Sequence, residues 1–337
     1  RYMDTLHQEI FHKLNKIINI DSRDMTVINT KNINIFPKKN NLIINFEIIN
    51  NVRRINKFHE SVNCALDYQG LYVSCAETLE ERRKRVWRKA IFGFRSITRI
   101  IDFMYKRVLP KLPILKNIYF IITRGNNRVL SKAEILGRLI SCGFDIVDYF
   151  EYNNLLYVIS KKNRKPDFNM NPSYGPFFKM KRIGYRGETI DVYKLRTMYP
   201  YSEYCQDLIV KKNKLANSGK VLNDFRVTTW GKFFRKFWID ELPMFINFFK
   251  LELNLVGVRP LSENYFMKYP PDLRELRIKF KPGLIPPYYA DLPKNFEQIL
   301  DSERKYLKSK VCSPVKTDIR YFLKAVVNIV FKGARSS

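Results

Sequence analysis

The sequence predicts an α/β fold that is divided into two domains. Strand-like and helix-like segments alternate in the N-terminal half, and a polar segment with two prolines, residues 161–173, then interrupts the pattern. Charged motifs crowd the part of the chain after Gly175. A length of 337 residues is enough for two cores. We therefore predict an N-terminal α/β domain over residues 1–162 and a C-terminal α+β domain over residues 163–337.

The N-terminal elements follow one another in a regular order. Residues 41–49 and 70–77 are rich in branched apolar side chains and predict two strands. The segment between them has apolar residues at helical spacing and predicts a helix. Further along, Ser131 followed by Glu134 is a capping-box pattern, which predicts the start of another helix. The segments FDIVDYFE and NLLYVISK predict two closing strands.

This ending, a helix followed by a strand pair, resembles the last helix and hairpin of class I methyltransferase domains. The resemblance covers residues 40–161 and implies a Rossmann-like domain. Enzymes of that class hold the methyl donor with a glycine-rich loop, whereas no glycine occurs here before Gly70. Without glycine the backbone cannot easily approach a ligand. We therefore expect a degenerate, non-catalytic methyltransferase-like domain.

Residues 96–122 show an amphipathic pattern, in which a helix would have one basic side and one apolar side. The apolar residues at helical spacing are Ile97, Ile100, Ile101, Met104 and Val108. A basic amphipathic helix is typical of an element that lies on a membrane surface. A helix packed against a protein core has the same stripe, and the sequence does not decide between the two.

Charge and cysteine content limit the classes of partner. A formal net charge of +29 predicts anionic partners, with phosphate groups of a nucleic acid, a membrane lipid or a nucleotide as candidates. A solvated Lys- and Asn-rich surface is the alternative. No base-reading motif is found, so we expect no nucleic-acid partner. No uncharged run approaches the roughly 20 residues of a transmembrane helix, so we expect none. Five irregularly spaced cysteines predict reduced side chains rather than disulfides or a zinc site.

Two adjacent carboxylates, Asp240 and Glu241, stand within the largely apolar run FFRKFWIDELPMFINFFK. Carboxylates in apolar surroundings need hydrogen bonds or counter-charges. Asp240 is a suitable N-cap and Pro243 is tolerated in a first turn, so we predict a helix from Asp240 through residues 244–253. A helix N-terminus stabilises a carboxylate or an incoming phosphate. The alternative is that Asp240 is only a cap and Glu241 only a first-turn acid.

Lysines and arginines flank this carboxylate pair in the sequence. They are Lys194 and Arg196 of YKLRTM, Arg226 and Arg235 of NDFRVTTWGKFFRK, and Arg259 of LVGVRP. Arginine forks match phosphate oxygens in bidentate fashion. The pattern therefore predicts an anionic substrate.

Six motifs, GPFFKMKRIG, YKLRTM, NDFRVTTWGKFFRK, IDELPMFINFFK, LVGVRP and KPGLIPP, follow one another in this order. The series resembles the bacterial sugar transferase family, the monotopic phosphoglycosyl transferases that begin polysaccharide assembly on a polyprenyl phosphate carrier. The resemblance extends from about Pro172 to the end of the sequence. There TDIRYFLKAVVNIVFKGA resembles the terminal amphipathic helix of the family.

The resemblance implies a glycosylphosphotransferase that moves a sugar 1-phosphate from a UDP-sugar to polyprenyl (undecaprenyl) phosphate. Such a step initiates exopolysaccharide, capsule or O-antigen synthesis. Asp240 would be the nucleophile and carry a covalent phosphosugar, Glu241 would help to hold Mg²⁺, and the five lysines and arginines would bind phosphates. The implied place is the cytoplasmic face of the bacterial inner membrane, for a peripheral or monotopic protein. A homo-oligomer is left open.

The sequence departs from the family in one place. Members carry a long apolar re-entrant helix before the position of Gly175, where this chain has KKNRKPDFNMNPSYG. Membrane attachment would then depend on residues 96–122, on the aromatic run around the carboxylate pair and on the C-terminal helix. That helix has an apolar face, Ile319, Phe322, Leu323, Val326 and Val330, and a polar face, Arg320, Lys324, Asn328 and Lys332. The alternative function is a catalytically inactive scaffold of a polysaccharide-assembly complex.

Overall fold

The structure is a computed structural model that describes residues 2–18, 25–32, 40–109, 113–166, 168, 175–212 and 224–333. The chain packs into two units. The first comprises Arg1–Tyr174, Tyr199–Lys214 and Val221–Arg226, and the second comprises Gly175–Met198, Leu215–Lys220 and Val227–Ser337. The described residues 199–212 and 224–226 therefore pack with the first unit, although they follow the boundary predicted at residue 162. That sequence boundary stays a prediction, and residues 167 and 169–174 beside it lie outside the described residues.

The first unit is built on a five-stranded sheet with the strand order β1-β2-β3-β5-β4. Its strands are β1 (Met25–Ile28), β2 (Asn40–Ile48), β3 (Leu66–Ala76), β4 (Phe144–Tyr152) and β5 (Leu155–Lys162). β1, β2 and β3 pair in parallel, whereas β5 is antiparallel to both β3 and β4. Its described helices are α1 (Tyr2–Ile18), α2 (Ile55–Ala65), α3 (Leu79–Lys89), α4 (Arg95–Phe103), α5 (Pro113–Thr123), α6 (Lys132–Ser141) and α7 (Gln206–Lys212).

Helices cover both faces of this sheet. On one face Ile43 and Tyr72 pack with residues of α2 and α6. On the other face Leu42 and Ile44 pack with residues of α1. Because successive strand side chains point to opposite faces, the consecutive buried apolar residues 42–44 of β2 fit a strand that is buried on both sides. The predicted α/β fold is confirmed.

The helix and the strand pair predicted for the last part of the N-terminal domain are also confirmed. Ser131 caps α6, and Glu134 completes the capping box, with the Glu134 amide 3.2 Å from Ser131 Oγ. The β4–β5 hairpin follows this helix, and β5 lies between β3 and β4 in the sheet. The resemblance to methyltransferase domains stays a prediction.

The second unit holds two small sheets and a set of helices. A hairpin of β6 (Phe177–Ile183) and β7 (Thr189–Leu195) closes through Tyr185–Gly187. β8 (Asn254–Val256) and β9 (Gly283–Ile285) form a parallel pair. The described helices are α8 (Thr229–Lys236), α9 (Phe245–Phe249), α10 (Glu263–Phe266), α11 (Pro271–Ile278), α12 (Tyr288–Asp291), α13 (Phe296–Cys312) and α14 (Pro314–Phe331).

The predicted C-terminal helix is α14, and it packs against its own unit. Tyr321 and Ala325 are buried, while Ile319 and Leu323 are 56% and 58% exposed. Placing Asn328 on the exposed polar face was wrong, because Asn328 is buried and its Nδ2 donates to the carbonyls of Tyr289 and Ala290 at 3.0 and 2.8 Å. These carbonyls lie in the short helix α12 and lack partners in a longer helix. Among the described residues, no helix has the length and apolar character needed to cross a membrane.

Two glycines explain why LVGVRP and KPGLIPP occur together. A Cβ on Gly283 would lie 2.1 Å from the amide nitrogen of Gly257, and a Cβ on Gly257 would lie 2.8 Å from that of Gly283. The two backbones therefore pass so close to each other at Gly257 and Gly283 that a residue with a Cβ fits at neither position. This crossing fixes the loop that carries Arg259.

We predict that Gly283→Ala destabilises the second unit by at least about 2 kcal/mol, because the clash is with backbone that cannot move aside. Gly175→Ala is the matched control, since the nearest atoms to its added Cβ lie at 3.9 Å. Denaturant unfolding followed by tryptophan fluorescence measures both variants. Equal midpoints for the two variants would contradict the proposed close crossing.

Candidate active site

The carboxylate pair lies in a short 3₁₀ helix, Ile239–Met244. The prediction that Asp240 caps an α-helix running to residue 253 was wrong, since the residue preceding the turn is Trp238 and the following helix α9 ends at Phe249. Pro243 has no amide hydrogen, so it cannot make the α-helical bond to the carbonyl of residue 239. The turn tightens instead, with the Glu241 amide donating to the Trp238 carbonyl at 3.0 Å.

Trp238 enters this turn in the left-handed region, with φ of 55°. That conformation costs a residue other than glycine roughly 1–2 kcal/mol, so surrounding contacts must hold it. Trp238 Nε1 donates to the hydroxyl of Tyr289 at 2.7 Å, and the two rings pack edge to face. The position of the carboxylates thus depends on α12, which contains Tyr289.

The two carboxylates have different surroundings. Glu241 accepts a hydrogen bond from Lys194 Nζ at 2.5 Å, and Arg259 Nη2 lies 4.0 Å from the same oxygen. Asp240 is half-buried, and within the described residues no lysine or arginine forms an ion pair with it. Glu241 is therefore neutralised by neighbouring cations, whereas the carboxylate of Asp240 is available to react with a ligand.

Burial shifts the pKa values of Asp240 and Lys194. Burial raises the pKa of Asp240, and the positive charge of Lys194 opposes that rise. Burial also lowers the pKa of Lys194, while the Glu241 carboxylate opposes that fall. A carboxylate with a raised pKa is a stronger base and a better nucleophile than an exposed one.

Asn247 joins the carboxylate turn to the strand that carries Lys194. Its Nδ2 donates to the Asp191 carbonyl at 2.7 Å and to Glu252 Oε2 at 2.6 Å, and its Oδ1 accepts from the Tyr193 amide at 3.0 Å. The side chain is fully buried. Sequence reasoning missed this residue, although a lone amide in an apolar run such as MFINFF signals a buried hydrogen-bonding role.

A cleft of about 490 Å³ opens beside Glu241. Lys194, Arg182 and Arg259 line it together with Glu241. Four tyrosines give it an aromatic wall: Tyr265, Tyr269, Tyr288 and Tyr289. The cleft therefore combines positive charge with flat aromatic surfaces, which suits a ligand that carries phosphates and a ring.

Arg182 and the tyrosines were absent from the predicted site. On β6 and β7, Arg182 and Lys194 occupy positions of the same parity as the cleft residues Met180 and Val192. Period-two alternation could therefore have indicated Arg182. Burial and the nearby Arg259 lower the pKa of Arg182. The tyrosines approach the cleft from sequence positions 265 to 289, and only the tertiary fold brings them there.

Contacts hold both the guanidinium group and the backbone carbonyl of Arg259 in place. Its Nη1 lies 3.4 Å from the hydroxyl of Tyr288, and its carbonyl accepts a hydrogen bond from Arg277 Nη2 at 2.6 Å. Arg277 is itself buried in an ion pair with Glu303. A guanidinium that is supported in this way is pre-organised for an anion.

The other predicted phosphate ligands are placed differently. Arg196 Nε donates to the Gly175 carbonyl at 2.9 Å, and Arg235 Nε donates to Thr197 Oγ1 at 3.0 Å. Arg226 belongs to the first unit, where it is buried and donates to Asp224 and Gln206. The structure thus brings Lys194 and Arg259 to the cleft with Glu241. The phosphate-binding roles of the other three arginines stay predictions.

A second, apolar pocket of about 170 Å³ also reaches Glu241. Its apolar lining is Trp238, Leu242, Met244, Phe245, Leu255, Leu284, Ile285 and Ile329. The surface around it is apolar as well, with Phe249 and Leu251 78% and 71% exposed. Glu241 therefore lies where the cationic cleft meets the apolar pocket, and Asp240 precedes it in the same turn.

We predict that Asp240→Asn stabilises the second unit at pH 7, by about 0.5–2 kcal/mol, the usual range for single stabilising substitutions. Folding raises the pKa of Asp240, so the ionised form is less favourable in the folded than in the unfolded chain. This penalty is absent at pH values below 3.8, the ordinary pKa of the carboxyl. It grows as the pH rises from there to the higher pKa that Asp240 has in the folded chain. The gain should therefore shrink towards acidic pH. Urea titrations at several pH values measure it.

Asp301→Asn is the control for this substitution, because the Asp301 side chain is 75% exposed. Its effect should be small at every pH. A loss of stability in Asp240→Asn at pH 7 would show instead that the carboxylate is well compensated in the folded state.

Comparison with known proteins matches the C-terminal part of the chain. Residues 169–332 match the family model described as "Bacterial sugar transferase". The galactosyl transferase CpsE of Streptococcus agalactiae serotype III is 38% identical over 112 residues, which are 33% of this chain and 25% of that protein. The undecaprenyl-phosphate galactose phosphotransferase of Salmonella typhimurium is 32% identical over 108 residues, 31% of this chain and 22% of that protein.

A third relative, the UDP-glucose:undecaprenyl-phosphate glucose-1-phosphate transferase of Klebsiella pneumoniae, is 35% identical over 115 residues. That match covers 33% of this chain and 23% of the relative. The chain thus spans between 22% and 25% of the length of these three relatives. The family predicted from the order of the six motifs is confirmed by the match of residues 169–332 to the bacterial sugar transferase model.

Proposed function

We propose that the second unit transfers a sugar 1-phosphate from a UDP-sugar to polyprenyl phosphate, the initiating step of exopolysaccharide, capsule or O-antigen synthesis. The observation that carries this proposal is the division of roles between Asp240 and Glu241. Glu241 is neutralised by Lys194, while no ion pair within the described residues occupies Asp240. The names of the three relatives, all transferases of a sugar or a sugar phosphate, support it.

The cleft beside Glu241 is suited to the donor. Its volume of about 490 Å³ lies within the roughly 300–1,000 Å³ that small-molecule sites occupy. Arg259, Lys194 and Arg182 present positive charge to a diphosphate. The tyrosine wall offers surfaces on which a base or a sugar ring can stack. We place the diphosphate next to Glu241 and the uridine and sugar along the tyrosines.

In the first step a carboxylate oxygen of Asp240 attacks the β-phosphorus of the donor. A bond forms between that oxygen and the phosphorus, and the bond from the phosphorus to the oxygen bridging the two phosphates breaks. UMP leaves with the bridging oxygen and its electron pair. The raised pKa of Asp240 makes its carboxylate the more basic nucleophile. Lys194 and Arg259 stabilise the charge on the transferring phosphate.

In the second step a phosphate oxygen of the polyprenyl carrier attacks the same phosphorus. The bond between phosphorus and the Asp240 oxygen breaks, which restores the carboxylate and yields the polyprenyl diphosphate sugar. An acyl phosphate is a reactive donor, so this transfer is easier than direct attack on the stable diphosphate. Asp240 is the nucleophile of the first half-reaction and the leaving group of the second, so the reaction follows a ping-pong order.

Mg²⁺ is proposed as the cofactor of this site. Mg²⁺ is commonly held by one or two carboxylates together with substrate phosphates, and Glu241, next to the nucleophile in one turn, is the carboxylate that would help to hold it. Within the described part of the chain no cluster of three or more metal-ligating side chains is present, which fits an ion brought with the diphosphate. When bound, such an ion neutralises the diphosphate. Calorimetric titration of UDP with and without Mg²⁺, in wild type and Glu241→Gln, tests this assignment.

The acceptor requires access to a membrane, and the second unit has surfaces that suit it. The apolar pocket at Glu241 can take the first isoprene units of the carrier while its phosphate reaches Asp240. The exposed stripe of α14, with Ile319 and Leu323, lies beside Lys316, Arg320 and Lys324. An amphipathic helix of this kind binds the headgroup region of a cytoplasmic leaflet. We propose a peripheral or monotopic position at that leaflet.

We predict that Asp240→Asn abolishes UMP release, with a loss of at least about 10³-fold, since the amide is not a nucleophile. The measurement is UMP production from a panel of UDP-sugars with Mg²⁺ and polyprenyl phosphate in detergent. Asp301→Asn, an exposed carboxylate of the same unit, should keep wild-type activity. Normal turnover by Asp240→Asn would refute the assignment of the nucleophile. No turnover by wild type with any donor would favour the inactive scaffold.

A further inference from the structure

Helix α4 of the first unit presents its apolar side outwards. None of its residues is buried. Ile97, Ile100, Ile101 and Met104, which form one stripe at helical spacing, are 53%, 62%, 61% and 50% exposed. The side chain of Val108, the last residue of the predicted stripe, lies outside the described residues. The helix is thus not packed through its stripe, which excludes the core-packing alternative for these four residues.

The polar side of α4 faces α3 instead. Asp102 accepts two hydrogen bonds from the buried Arg82, at 2.9 and 2.7 Å. The guanidinium groups of Arg95 and Arg99 lie over the ring of Trp87, at 5.4 and 4.8 Å from its centre. Amphipathic helices of water-exposed domains usually have the opposite orientation. Exposure of apolar area costs about 25 cal/mol per Å², so this stripe needs an apolar partner.

Neighbouring residues extend the apolar surface on both sides of α4. Before the helix, Ile91, Phe92 and Phe94 are 77%, 84% and 61% exposed. On α5, Ile118, Ile121 and Ile122 are 52%, 76% and 65% exposed. Together with the α4 stripe these residues form what we call the α4–α5 surface. Ten large apolar side chains within 32 residues exceed the scattered exposure that is normal for a folded protein.

The charge around the α4–α5 surface specifies the partner. Residues 79–124 contain thirteen lysines and arginines and three carboxylates. Two of the three carboxylates are already paired within the unit, Glu81 with Lys84 and Asp102 with Arg82. The partner is therefore both apolar and anionic. A second copy would bring the same positive charge to the same place, because two-fold interfaces bury identical patches.

We propose that the α4–α5 surface lies in the headgroup region of an anionic lipid bilayer. The isoleucines and phenylalanines enter the boundary of the acyl chains, and the lysines and arginines contact the lipid phosphates. This gives the first unit a membrane contact of its own. It goes beyond the function proposed for the second unit, because residues 79–124 lie outside the family match at residues 169–332.

Vesicle co-sedimentation of the full-length chain tests this proposal. All proteins carry Leu323→Glu to weaken the contribution of α14, and vesicles contain either phosphatidylcholine alone or a mixture with phosphatidylglycerol. We expect Ile97→Glu/Ile100→Glu to lower binding to the anionic vesicles about tenfold or more, since charge replaces buried apolar area. Because both side chains are exposed, the fold should persist, and circular dichroism checks this.

Tyr68→Glu/Val147→Glu is the matched control, because both residues are exposed apolar residues of the first unit outside the α4–α5 surface. It should bind anionic vesicles like the parent. Equal binding by the two double variants, or equal binding of the parent to neutral and anionic vesicles, would overturn the proposal. So would a parent that dimerises in analytical ultracentrifugation through these isoleucines. UMP release in detergent is measured in parallel, so that a failure of the proposed function is seen separately.

Discussion

The ion pair between Lys194 and Glu241 is the interaction on which the candidate active site depends. Its partners come from a strand and from a 3₁₀ turn, and they meet at 2.5 Å with side chains only 14% and 22% exposed. Removing one partner of such a pair leaves the other charged in poor solvent, which is strongly destabilising. The pair also occupies Glu241 and so leaves Asp240 as the available carboxylate. The chemistry proposed here follows from that asymmetry.

Several parts of the second unit serve this arrangement. Asn247 holds the carboxylate turn to β7, and Tyr289 holds Trp238 in its strained conformation. Asn328 of α14 in turn holds the carbonyl of Tyr289. A helix with an exposed apolar stripe is thus joined to the reacting carboxylates through three side chains. The bilayer contact proposed for α14 and the lipid acceptor site proposed near Asp240 would therefore depend on one packing arrangement.

The sequence was sufficient for the family and for part of the elements, among them β2, β3, α6, the β4–β5 hairpin and α14, because these depend on local motifs and on periodicity. It failed where packing overrides local preference. Pro243 turns the predicted α-helical start into a 3₁₀ helix, and the open carbonyls of α12 draw Asn328 into the interior. The carbonyls that hold Asn328 lie 39 and 38 residues away in the sequence, so no local pattern could indicate them. The phosphate-binding role of Arg226 stays a prediction, and in the structure this residue belongs to the first unit and donates to Asp224.

The proposed function rests on a covalent phosphosugar on Asp240, and intact-protein mass spectrometry can detect this intermediate. Wild-type protein is incubated with Mg²⁺ and a UDP-sugar in the absence of polyprenyl phosphate, and the reaction is stopped in acid. We expect a mass increase of one phosphosugar that maps to Asp240, is absent in Asp240→Asn and disappears when polyprenyl phosphate is added. Product formation at the wild-type rate with no adduct at any time would contradict it and indicate direct transfer.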